Sequence, residues 1–286
     1  MKKTLSILST ASVGILMLPL TAVAEGTSPW LPAPGQLALG IGHTQQTADT
    51  TYIGEQKLSV SAITGGLADE YVVDTTSIQL SYGISDSLSL DAALSYAEVD
   101  AGATDSDTGL ADSVIGIQWR VADEYLNPNL PSVALRAAAI ISGDYESDRF
   151  AAIGKAANGV ELAVIAGKQL SPIFSVWGEV GYQNRDSSVP DATYFNVNAG
   201  VSFTSTLSGS VGFSRKKYSG DLDIDDPEFT GEFAETREER YIIKVGLNYA
   251  FAENQGLSFN LGKATAGRNG VKDDRIVSVA YSYGFN

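Results

Sequence analysis

The sequence predicts an all-β fold, a twelve-stranded antiparallel up-and-down transmembrane β-barrel, from three observations. Twelve stretches alternate apolar with small polar residues at a period of two, the signature of strands with one greasy face. Their connections alternate short and long, and their number is even. Charge, plentiful elsewhere in a 286-residue chain of formal net charge −15, almost vanishes from these stretches.

The chain begins MKKTLSILSTASVGILMLPLTAVAEG. Lys2 and Lys3, an apolar run to about Leu20, and the small residues Ala22 and Ala24 supply the three parts of a secretory signal peptide. Its apolar part is too short to span a bilayer as a helix. Residues 1–24 are therefore expected to be removed, leaving 25–286 as one outer-membrane β-barrel with long extracellular loops. No later segment offers the roughly 18 consecutive apolar residues of a spanning helix. A membrane-resident chain of this kind has to be a closed barrel, which pairs every backbone N–H and C=O within itself. With no cysteine, no disulfide reinforces the fold. With 34 acidic residues against 19 basic ones, nucleic acid is a disfavoured partner.

In chain order the stretches cover 36–43, 77–84, 88–96, 114–121, 133–141, 160–168, 174–182, 194–203, 207–213, 241–251, 257–263 and 276–285. The second and third show the pattern most plainly. Ile78, Leu80, Tyr82 and Ile84 alternate with Ser77, Gln79, Ser81 and Gly83, and after Ser85-Asp86-Ser87 the apolar series resumes as Leu88, Leu90, Ala92, Leu94 and Tyr96. Gln169 to Ile173, Thr204-Ser205-Thr206 and Ala252 to Gln255 are equally brief connections, while Ala122 to Ser132, with Pro128 and Pro131, is longer. The other set runs through Thr44–Thr76, Ala97–Ser113, Ser142–Gly159, Gln183–Thr193, Ser214–Arg240 and Ala264–Arg275. Short turns at one rim and long loops at the other put both termini in the periplasm of a bacterial outer membrane.

Charge distribution decides which medium the greasy face meets. The twelve stretches contain only eight charged residues: Asp91, Arg120, Arg136, Glu161, Lys168, Glu179, Lys244 and Lys263. A water-soluble sheet would carry Lys, Glu and Arg on its second face. Here that face holds Ser208, Ser210, Gly212, Asn196, Asn198 and Asn248, which suit a crowded or wet lumen. Aromatics add a second test. Tyr82, Trp119, Phe174, Phe203, Phe251 and Phe285 fall at the short-turn ends, and Tyr96, Tyr182, Phe195, Phe213 and Tyr241 at the long-loop ends, giving two interfacial belts.

The start TSPWLPAPGQLALGIG, the hairpin LSYGISDSLSLDAALSYAEVD and the segment DTGLADSVIGIQWRV resemble the outer-membrane proteins grouped as the meta-pathway of phenol degradation family. The resemblance covers most of the chain after the leader. It implies an outer-membrane barrel, associated in some members with catabolism of aromatic compounds, that aids passage of small molecules, and it carries over no catalytic residues. The last strand, IVSVAYSYGF, resembles the carboxy-terminal signal read by the barrel-assembly machinery, with Asn286 added after Phe285.

Inward-facing charges are the candidate site. Asp91, Arg120 and Arg136, on three consecutive strands, are expected to cluster in the short-turn half of the lumen, with Glu161, Glu179 and Lys244 higher up. They form either a mutually satisfied ion cluster or a constriction that selects permeants by charge. In the loop SGDLDIDDPEFTGEFAETREER, Asp221, Asp223, Asp225 and Glu232 match the oxygen-ligand spacing of a calcium loop, but Asp226 and Pro227 stand where a glycine turn belongs. The 221–232 segment is therefore read as a solvated acidic loop that could engage divalent ions among neighbouring lipopolysaccharides. The sole histidine, His43, falls on the lipid side near the outer rim without the serine two residues later that barrel phospholipases show. No cofactor and no metal site are expected.

The leading expectation is a passive channel or transporter for small, aromatic or apolar molecules. A closed structural or surface-interaction barrel is the alternative, and a lipid-modifying enzyme the third reading. Expected partners are outer-membrane lipid and lipopolysaccharide, the barrel-assembly machinery and a small-molecule permeant.

Overall fold

A computed structural model describes residues 27–102, 106–149, 152–186 and 188–285. The expected leader, 1–24, lies outside them. Twelve strands form the barrel: β1 Leu37–Ala48, β2 Tyr71–Ser85, β3 Leu88–Asp100, β4 Ser113–Ala122, β5 Ser132–Ile141, β6 Gly159–Ser171, β7 Phe174–Arg185, β8 Ala192–Ser202, β9 Leu207–Tyr218, β10 Glu239–Ala252, β11 Gln255–Arg268 and β12 Arg275–Phe285. Each pairs antiparallel with its neighbours in sequence, and β1 pairs with β12 from Leu37↔Phe285 to Thr47↔Arg275, closing the cylinder. Closure removes the two edges that an open sheet would present to lipid.

Every strand stretch read from the sequence is present, but several strands extend well past it at the long-loop end. β2 begins at Tyr71 rather than near 77, β9 continues to Tyr218, and β11 to Arg268. Apolar alternation marks only the hydrocarbon band. Beyond it the outward residues are Asp74, Glu98, Arg215, Lys217 and Glu239, so only the hydrogen-bond ladder shows that the strand goes on.

The outward face is apolar and exposed over a continuous band, with Ile115 at 54%, Leu162 at 59% and Val180 at 65% exposure. In water such a surface would aggregate; hydrocarbon is the medium that fits it. Inward positions are small or polar and packed, including Ser77, Ser81, Ser89, Gln118, Asn196, Ser258 and Ser278.

At the long-loop end, Thr50–Ile53, Gln56–Ser59 and Gly270–Lys272 form a separate three-stranded sheet, followed by a single helical turn, Val60–Ile63. Ser59 caps that turn through the Ala62 N–H, 3.2 Å from its hydroxyl. Val60, Ala68, Tyr71 and Ala101 pack there into a small core, so the first loop is a folded cap on the rim. Opposite, the connections 86–87, 123–131, 172–173, 203–206 and 253–254 are turns.

Candidate functional site

The lumen is crossed near its middle by one ion network. Arg136 on β5 donates from Nε to Asp91 Oδ1 at 3.2 Å and from Nη2 to Asp91 Oδ2 at 2.6 Å, a two-point contact with β3 across the intervening β4. The fork geometry of guanidinium and carboxylate favours this pairing. Its Nη1 reaches Glu161 on β6, whose other oxygen accepts from Gln183 Nε2 at 2.6 Å. The strand between leaves space for the pair. A Cβ on Gly116 would lie 2.7 Å from Arg136 Nη2 and 2.8 Å from Asp91 Oδ1, so glycine lets the ions lie flat on the wall. Arg136 is 4% exposed and Glu161 1%, so the ion pair is buried.

Next to it, Glu179 on β7 accepts from Tyr194 Oη at 3.0 Å and Asn196 Nδ2 at 3.4 Å, both on β8. Gly181 gives the Tyr194 ring its place, since a Cβ there would come within 2.2 Å of the ring. The remaining donors to Glu179 come from outside the barrel wall. Thr27 offers its backbone N–H and its hydroxyl, each at 3.2 Å.

The segment before β1 thus runs inside the cylinder. Ser28 O accepts from Gln118 Nε2 at 2.7 Å, and Pro29 is fully buried. Trp30 stacks edge-on against the inward Trp177, 6.1 Å between centroids, and donates from Nε1 to Glu124 Oε1 at 2.8 Å. Glu124, in the 123–131 turn, also accepts from the Gln169 N–H at 2.9 Å. The segment leaves along β2, where Gly35 N donates to Gly83 O at 2.8 Å. Neither the strap nor Glu124 was legible as part of the lumen. The available signal was a run, TSPWLPAPG, that breaks the alternation with three prolines yet carries a tryptophan with nothing local to pack on.

Above the ion network lies a cavity of about 290 Å³, lined as deep as Gln79, Ala93 and Gln183 and roofed by residues 147–149, 152–155 and 224–238 of the long loops. Arg136, Glu161 and Glu179 do not line it; Gln183, which does, links it to the network through Glu161.

Several expectations need correction. Arg120 does not join Asp91 and Arg136. It is the third residue from its strand end, and its guanidinium folds down to the turns, donating to Asp86 O at 2.5 Å and pairing with Asp123 at 3.0 Å. Glu161 stands opposite Ala138, one inward position nearer the long loops than Arg136, and its side chain reaches the Arg136 guanidinium. Lys244 does face inward, between Gly212 and Gly262 on the flanking strands.

In the acidic loop, Asp223, Asp225 and Asp226 approach one another within 4.8 Å, without Asp221 or Glu232. Asp223 is already held by Arg268 Nε at 2.7 Å, Arg237 Nη2 at 3.0 Å and Asn269 Nδ2 at 2.6 Å, so a cation would compete with two arginines. His43 faces outward between Asp74 Oδ1 and Thr76 Oγ1, each 3.2 Å away. Base and orienting group are thus present, but β1 and β2 pair on both sides, so their amides are committed to the ladder and offer no oxyanion donors.

The family model "Putative MetA-pathway of phenol degradation" matches residues 38–280. No curated protein matches the chain. Among solved structures, an outer-membrane channel from Pseudomonas putida F1 superposes with a TM-score of 0.70 at 17% identity, covering 91% of this chain and 99% of that one. The KdgM porin superposes with a TM-score of 0.51 at 10% identity, covering 87% and 99%.

Proposed function

Since the chain belongs to the family described as "Putative MetA-pathway of phenol degradation", we propose that it is a passive channel for small molecules in the bacterial outer membrane, exported by its leader, with its short turns in the periplasm. One observation carries the reading: a cavity of about 290 Å³ lies inside the barrel beneath the long loops, and its wall residue Gln183 donates to Glu161 of the Asp91–Arg136–Glu161 network. A binding chamber above a charged constriction is what a narrow selective pore requires. A barrel that served only as a scaffold would have no use for an internal chamber. Passage downward requires the strap Thr27–Gln36 or the ion network to yield, so low and fluctuating conductance is expected. Single-channel recording in planar bilayers tests this, and a barrel that never conducts would return the protein to the closed structural reading, which the burial of Arg136 and Glu161 favours.

No energy source, cofactor or chemical step enters this mechanism. At the outer rim, Arg215 and Lys217 on β9, Lys263 on β11 and Arg275 on β12 project toward the membrane, a placement suited to lipopolysaccharide phosphates. At the other end, Tyr283 and Phe285 supply the terminal aromatics for the barrel-assembly machinery.

A further inference from the structure

The chamber above the constriction has a charge balance opposite to that of the chain. Arg149, Lys155, Arg185, Lys216 and Arg240 line it, against Asp112, Glu238 and Asp273, in a protein of net charge −15. Four of the cations have their own carboxylates: Arg149 with Glu146 at 2.5 Å, Lys155 with Glu238 at 3.1 Å, Arg185 with Asp112 at 2.5 Å, and Arg240 with Asp273. Among the described residues, Lys216 has no ion pair of its own. Its ammonium stands 5.0 Å from the centre of the Tyr218 ring, and Lys155 stands 4.9 Å from the same ring. Burial pushes the Glu238 carboxyl up, but Lys155, Arg240 and Lys216 more than cancel that and hold it below its ordinary value, so one carboxylate feels three cations.

Unused hydrogen-bonding groups lie in the same wall. Among the described residues, Arg185 Nε, Arg240 Nε and Gln183 Oε1 are buried without a partner, and the Arg185 side chain is only 7% exposed. Buried donors of this kind are costly unless something accepts from them. Among the remaining lining residues, Val73, Val114, Ile140 and Phe233 supply apolar surface beside polar ones such as Thr75, Gln79 and Ser95. Surplus positive charge and idle guanidinium donors beside an apolar surface define a complementary ligand.

We infer that this chamber binds a small organic monocarboxylate with a compact apolar body, its carboxylate at Lys216 and the Arg185 and Arg240 guanidiniums and its body against Val114, Ile140 and Phe233. This deepens the channel reading and rests on it for the ligand's role as a permeant, whereas occupancy of the chamber is a separate property. Calorimetric titration of the detergent-folded barrel with benzoate, and with benzamide as a neutral probe of the same shape, tests it. Benzoate is expected to saturate one site and benzamide to bind about tenfold more weakly or not at all, the worth of a charge-assisted contact. Lys216→Gln should weaken benzoate by about tenfold while Lys216→Arg retains it, with folding of both checked by the mobility of unheated samples on gels. Equal binding of the two probes, no benzoate binding, or an unchanged affinity in Lys216→Gln each overturns the proposal. Bilayer recording keeps the two readings apart: binding without conductance leaves the site and removes the channel, and conductance without binding does the reverse.

Discussion

The Arg136 guanidinium on β5 grips the Asp91 carboxylate on β3 from two nitrogens, 2.6 and 3.2 Å away, over a glycine on the strand that separates them. With its third nitrogen on Glu161, one cation holds two anions inside a cylinder whose wall is only one residue thick. Removing it therefore does more than delete a contact. Arg136→Met leaves Glu161 buried and unpaired, which should cost about 3–5 kcal/mol. The measurement is the temperature at which the compact, fast-migrating gel species of the folded barrel is lost. Adding Glu161→Gln and Asp91→Asn to Arg136→Met should recover much of the loss, and failure of that recovery would show that Arg136 acts otherwise than by pairing.

Gly116 gives an independent check on the same layer. Gly116→Val would place methyl groups where Arg136 Nη2 and the Asp91 oxygens now sit, because even a Cβ comes within 2.8 Å of them. The pair must separate, so ion selectivity of the conductance should change while the barrel still closes. An unaltered reversal potential in asymmetric salt would place the selective layer elsewhere.

The barrel and the direction of its faces were legible because a period of two and an absence of charge are local properties, fixed by which side of each residue meets lipid. Leu90 and Ile117 need no knowledge of the rest of the chain to be assigned outward. Which inward charges meet was not legible. Arg136 meets Glu161 while Arg120 turns away to Asp123, because side-chain reach and the partners offered by neighbouring strands and turns, which position within a segment alone does not encode, decide the pairing. The strap was hidden for another reason: Thr27, Pro29 and Trp30 are ordered by residues some 90 to 150 positions away, such as Gln118 and Glu179.

Trp30 anchors that strap through Glu124 and Trp177, so Trp30→Ala should loosen it. Losing the indole removes an aromatic pair of about 0.5–1.5 kcal/mol and leaves one oxygen of a buried carboxylate without its donor. Mean conductance, or the fraction of time spent in the more conducting state, should rise. Identical single-channel records for Trp30→Ala and the native barrel would exclude the strap as an obstacle to flow.

Facing on the wall predicts an asymmetry among arginine substitutions. Leu90 and Val197 point outward at 42% and 55% exposure, whereas Ser210 shares the inward face with Asn260 beside Gly246. Leu90→Arg and Val197→Arg should each cost roughly 2–4 kcal/mol where they lie near the bilayer midplane, and Ser210→Arg distinctly less. Reversible urea unfolding in lipid vesicles measures all three, and equal costs would contradict the faces assigned to these strands.

The acidic loop offers a pH dependence with a defined sign. Hydrogen bonds from Arg268, opposed by burial and reinforced by Asn269 and Arg237, hold the Asp223 carboxyl below its ordinary range. A carboxylate depressed on folding stabilises the folded state above its unfolded value, about 3.9, and that contribution disappears as the pH falls through the lower folded value. The 219–238 loop, tied to β11 by Asp223, should therefore stay docked at neutral pH and loosen progressively below about pH 4. Hydrogen–deuterium exchange across that loop, corrected for the intrinsic pH dependence of exchange, is the readout. Asp223→Asn should give fast exchange already at neutral pH and remove the acid-induced step. A native loop whose corrected protection is unchanged between pH 7 and pH 3 would show that Asp223 is not what fastens it.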